Sequence, residues 1–136
     1  MRQDYKRVIV HLLTIPVIWA PFIPIVILDI ALEIYHRLAF PIYKIPYVQR
    51  SEYIRMDRHK LKYLTWYDKI NCSYCAYASG FFYYASTIAG RTEDYWCAIR
   101  HEEIGKFKAS PHHKDFVPYG DSLAYEKRPS GYRRPR

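Results

Sequence analysis

No phosphate loop, dinucleotide fingerprint or Gly-x-Ser-x-Gly elbow occurs in the chain, which removes the commonest signatures of nucleotide binding and serine hydrolysis. Cys75 is followed by Ala76, so a c-type haem attachment motif is missing too. Cysteine is scarce. Three cysteines cannot all pair with one another, and Cys72 and Cys75 lie only three apart. That spacing suits metal ligation in a reducing compartment better than a secreted disulfide framework. Charge is missing from two long stretches: Val8 to Leu28 and Asn71 to Gly90 contain no Asp, Glu, Lys or Arg.

Basic residues and tyrosine are abundant instead. Among 136 residues there are 21 Lys and Arg against 13 Asp and Glu, a net charge of +8, together with 15 Tyr. A basic chain seeks anions, and lipid headgroups, acidic proteins and nucleic acid all qualify. The excess flanks the first uncharged stretch, at Arg2, Lys6 and Arg7 and again from Lys44 to Lys69, and returns in the last residues. Membrane lipid is therefore the expected partner, beside a membrane or cytosolic protein, with nucleic acid a weaker alternative.

As an uninterrupted helix, Val8 to Leu28 would reach roughly 32 Å, about one hydrocarbon thickness. A cleaved signal peptide competes for this segment, but Ile18-Trp19-Ala20 is a poor small-x-small site and Pro21 follows it. Pro16, Pro21 and Pro24 each remove a backbone donor, so the expectation is a Pro-kinked span or a re-entrant hairpin. Basic residues on both flanks favour the hairpin, because Lys and Arg prefer the cytosolic side. After Pro24, Asp29, Glu33 and Arg37 form one helical stripe and Ile27, Ile30, Ile34 and Leu38 another. Tyr35, Phe40, Tyr43 and Tyr47, among Arg37, Lys44 and Arg50, resemble a belt at headgroup depth. Residues 1–40 are read as a membrane anchor and 41–56, with Pro41 and Pro46, as an extended connector.

The anchor and a polar tail leave about 70 residues for a water-facing core, a size that commonly needs a metal or a partner. Residues 57–108 are read as a helical metal-stapled module. Asp57 caps a helix from Arg58 to Lys69 with Leu61, Leu64 and Ile70 inward. Tyr77, Phe81, Tyr84 and Ile88 recur at helical spacing, as in a helix packed on one face rather than a second membrane span. Gly90 ends that helix, and another runs from Arg91 to Lys106 behind Thr92. Residues 109–136, rich in Pro, Gly and charge, are read as a basic flexible tail. His59, His112 and His113 read as solvated side chains.

The motif that carries chemistry is Cys72-x2-Cys75, then 21 residues, then Cys97-x3-His101. Three thiolates and one imidazole in two close pairs suit a closed tetrahedral zinc site, with iron as the alternative. The four residues can meet only if the chain reverses near Gly90, since straight helix would hold the pairs about 30 Å apart. The sequence thus leads to a mainly α protein, a small membrane-anchored metal-binding accessory or scaffold at the cytosolic membrane face with a structural Cys3His site. A membrane-associated redox or iron protein is the alternative, and no catalytic residue is assigned.

The segments DRHKLKYLTWYDKINCSYCAYASG and YWCAIRH, within Asp57 to His101, resemble an uncharacterised group of short bacterial membrane-associated proteins. The resemblance implies no activity.

Overall fold

A computed structural model describes residues 2–128. The described chain is mainly helical, with α1 (Arg2–Trp19), α2 (Phe22–Tyr43), α3 (Trp66–Trp96) and a short α4 (Ser122–Lys127). Single 3-10 turns lie at Arg50–Glu52, Arg58–Lys60 and Pro111–Asp115. Among the described residues there is no strand, only an isolated parallel bridge between Ile99 and Val117.

The N-terminal prolines sit where their missing donors matter least. Pro21 is the N-cap of α2, and Pro24 lies in its first turn, where N–H groups have no intrahelical partner. Helical bonding reaches the joint from both sides, from Ala20 N–H to the Pro16 carbonyl at 2.9 Å and from Ile25 N–H to the Pro21 carbonyl at 3.0 Å. Only Pro16 lies inside α1.

Contacts with α3 settle the direction of the two helices. The ring of His11 faces Tyr67, Trp19 stacks on Tyr74 at 4.7 Å, Phe22 meets Tyr77, and Tyr43 meets Trp96 at 5.3 Å. Both numbers rise together, so α1 and α2 run parallel to α3. The re-entrant hairpin is corrected accordingly: a hairpin would reverse one series against the other.

A parallel pair needs a long return, and residues 44–65 supply it. Lys44 takes a left-handed conformation (φ 55°) at the end of α2, its N–H bonding back to Phe40 and Pro41. Extended, 22 residues can reach about 70 Å, more than the roughly 46 Å of α3. The connector lies against both helices. A methyl group at Gly80 would sit 2.6 Å from the Tyr53 carbonyl oxygen, so glycine is what lets the connector touch α3.

Ile25 and Phe40 of α2, Val48 of the connector, and Phe81, Tyr84 and Ile88 of α3 form the core. The stripe expected at Phe81, Tyr84 and Ile88 is the buried one. On α2 the amphipathic pattern is turned around: Asp29 and His36 are buried, whereas Ile23, Ile27, Ile30, Ile34, Leu38 and Ile42 face outward. The buried polar groups of α2 are satisfied. Arg50 pairs with Asp29, and Tyr77 donates to Asp29 at 2.6 Å. Val48 N–H donates to His36 Nε2 at 3.2 Å, which leaves the His36 proton on Nδ1, facing the Tyr84 hydroxyl at 3.0 Å. That hydroxyl then donates to Glu33 at 3.0 Å.

Three further expectations are corrected. Of the helix expected from Arg58 to Lys69, the part before Trp66 is only the turn Arg58–Lys60, and Asp57 makes no cap bond. The helix starts at Trp66, where Thr65 and Asp68 form a reciprocal capping box. Gly90 does not end it: α3 runs through to Trp96. The segment expected to be a flexible tail folds as far as residue 128, with His113, Phe116 and Val117 buried. Its last eight residues lie outside the described part.

Candidate metal centre

Cys72 and Cys75 occupy the first third of α3, and Cys97 caps its far end. With no reversal at Gly90, 22 residues of helix hold Cys75 and Cys97 about 33 Å apart. All three thiols are free, Cys75 and Cys97 exposed and Cys72 half-buried. His101 is exposed beyond the helix, beside Phe107 and with its ring 5.5 Å from that of His113. The structure thus keeps the Cys72–Cys75 pair away from Cys97 and His101, and a single ion cannot touch all four in this arrangement.

The chain does reverse, eight residues after Gly90. Ala98 adopts a left-handed conformation (φ 41°), a strained setting for a residue with a Cβ. The following segment pairs with the one that returns: Val117 N–H donates to the Ala98 carbonyl at 2.9 Å and Arg100 N–H to the Val117 carbonyl at 2.8 Å. The Arg100 guanidinium grips the His113 and Lys114 carbonyls. Pro111 opens the 3-10 turn at its first position, where a fixed φ and a missing donor cost nothing. These features lay His112 and His113 across the last turns of α3.

There, Nε2 of both imidazoles converges on one carboxylate oxygen of Glu93, at 2.9 Å from His112 and 3.1 Å from His113. Ligand atoms of the three residues lie within 4.8 Å of one another. Gly90 provides the seat: a methyl group there would stand 2.9 Å from His112 Cγ. His113 is buried, and its Nδ1 has no hydrogen-bond partner. Burial raises the Glu93 carboxyl, but the hydrogen bonds and charge of His112 and His113 outweigh it and hold the group below the usual carboxylate range. Beside His112, a cavity of about 430 Å³ is lined by Gly90, Arg91, Asp94, Asp115 and Phe116 among others.

Sequence reasoning passed over all three residues. Glu93 reads as an acid in the first turn of a helix, next to the cap Thr92, and His112-His113 sits in a segment whose composition suggests a flexible tail. The available signal was local: a Pro immediately before two adjacent histidines fixes the start of a turn and holds them in a defined geometry.

The chain matches no family model, no curated protein and no solved structure.

Proposed function

We propose that the chain is a small membrane-anchored accessory or scaffold protein, with the outward apolar face of α1 and α2 against the hydrocarbon layer and α3, packed along their other side, in a helical platform at the cytosolic face. One observation carries this reading: most of the large apolar side chains of residues 9–43 are turned away from the protein, Ile25 and Phe40 of the core excepted. That segment is long and apolar enough to cross a membrane, and only 11% of its most apolar window is buried. Leu13 and Val17 are each 71% exposed. A soluble protein would hide such a helix, since each Å² of apolar surface left in water costs about 25 cal/mol.

Residues 9–28 span about 30 Å as helix, one hydrocarbon thickness. Beyond them the outward stripe continues through Ile30, Ile34 and Leu38, while Asp29 and Glu33 of the same helix bond inward to Arg50, Tyr77 and Tyr84. This makes the second half of α2 fit the boundary of the bilayer, with its apolar stripe toward lipid. The Lys and Arg of the connector favour the cytosolic side. Large side chains are spent on holding α2, the connector and α3 together, which suits a supporting role beside a membrane or cytosolic protein.

Native Cys97 tests this placement. With Cys72 and Cys75 replaced by Ser, exposed Cys97, at the end of α3 that lies beside Tyr43, should react with a membrane-impermeant maleimide in inside-out vesicles and not in intact cells. Labelling in intact cells would overturn the cytosolic placement, and recovery of the protein in the soluble fraction would overturn the anchor.

A further inference from the structure

We infer that Glu93, His112 and His113 form a binding site for one divalent transition-metal ion, zinc in the first instance. Two imidazoles and a carboxylate are a ligand set that zinc takes with a fourth position left for water, and that iron(II) also accepts. The geometry needs little change. Around zinc, with bonds of about 2.0–2.1 Å, ligand atoms of a tetrahedron stand about 3.3 Å apart. Glu93 Oε2 is already 2.9 Å and 3.1 Å from the two nitrogens, so these two separations open by only a few tenths of an ångström, and the three ligand atoms all lie within 4.8 Å of one another.

A plain ion pair accounts for less of what is there. One histidine would suffice for an ion pair with Glu93, yet two are aimed at the same oxygen. The second is buried at a cost, since its Nδ1 has no partner. Both rings also rest on dedicated backbone: Gly90 vacates the place of His112, while Pro111 and the Arg100 clamp fix the turn that carries them. Such support of ligands by surrounding groups is what metal sites require. The cavity beside His112 leaves room for a water or an exogenous fourth ligand.

The site does not depend on the cysteines or on membrane insertion. The decisive experiment uses the full chain in detergent, stripped with chelator and titrated with zinc and, anaerobically, with iron(II). The expected result is about one zinc or iron(II) per chain for the wild type and for the Cys72→Ser, Cys75→Ser, Cys97→Ser triple variant. Glu93→Gln and His112→Ala should lose that binding while keeping wild-type helicity by circular dichroism. Cobalt(II) serves as a second readout on the wild type alone, where tetrahedral coordination gives visible absorption bands with no sulfur-to-metal band. No binding of any of the three ions by the wild type would overturn the site. So would full binding by Glu93→Gln and His112→Ala, or loss of binding in the cysteine variant only.

Discussion

Arg50 meets Asp29 edge to edge, with Nη1 2.5 Å from Oδ1 and Nη2 2.6 Å from Oδ2. This two-bond geometry is specific to the guanidinium. It fastens the returning connector to α2 and neutralises a carboxylate that is otherwise turned into the protein. Replacing Arg50 by Met leaves that carboxylate without its counter-charge and is expected to cost about 2 kcal/mol, below the usual range for a buried pair because Arg50 is partly exposed. Thermal unfolding in detergent should fall by roughly 5–10 °C. Adding Asp29→Asn should recover part of the loss, and an unchanged midpoint for Arg50→Met would show that the pair does not hold the connector.

Tyr77 gives the fold an alkaline limit. Burial, and then the hydrogen bond to the Asp29 carboxylate, push its phenol from 10.0 up to about 12, against a smaller opposing pull from Arg50. Because the folded value is the higher one, the contribution of Tyr77 is fully present below pH 10 and is lost as the pH rises toward 12. Its size is roughly 1–2 kcal/mol, less than the two-unit shift would give in full because the ring is only partly buried. Urea unfolding between pH 9 and pH 12 should therefore show a fall in stability that Tyr77→Phe makes shallower, the remainder coming from Tyr84, whose phenol burial also raises. The same slope in both proteins would contradict the assignment.

Gly80 and Gly90 separate stability from metal affinity. Alanine at either position gains about 1 kcal/mol in helix propensity. At Gly80 the new methyl meets backbone, 2.6 Å from the Tyr53 oxygen, so Gly80→Ala is expected to destabilise by about 1–3 kcal/mol overall. At Gly90 it meets the His112 ring, a side chain that can swing aside. Gly90→Ala should unfold no more easily than the wild type and yet bind zinc more weakly. Equal zinc affinity would show that the seat of His112 is unrelated to a metal.

The apolar N-terminal helix and the Phe81–Tyr84–Ile88 face were legible because each rests on a local pattern: the absence of charge in one case, a helical period in the other. The direction of the amphipathic stripe on α2 was not. Ile30 and Ile34 read as core to anyone assuming water outside, and only the partners Arg50, Tyr77 and Tyr84, distant in sequence, reveal that Asp29 and Glu33 face inward. Gly90 misled for a related reason. A glycine in a helical run reads as a stop, but here its small size serves a ring from a segment some 20 residues away. The cysteine motif was legible as spacing alone, and spacing cannot show that an unbroken helix separates its halves. Glu93, His112 and His113 come together through the turn at Ala98, and a left-handed alanine leaves no mark in the sequence.

Flotation of the full chain with membranes at about 1 M salt tests the anchor most directly. The Debye length there is about 3 Å, so attachment through the net charge of +8 alone is screened away. Wild-type protein should float with the lipid. Leu13→Arg combined with Val17→Arg, at a cost of about 2.5–3.5 kcal/mol for each charge near the bilayer centre, should leave the floating fraction. Release of the wild-type chain into the soluble fraction, folded and monodisperse, would contradict the account.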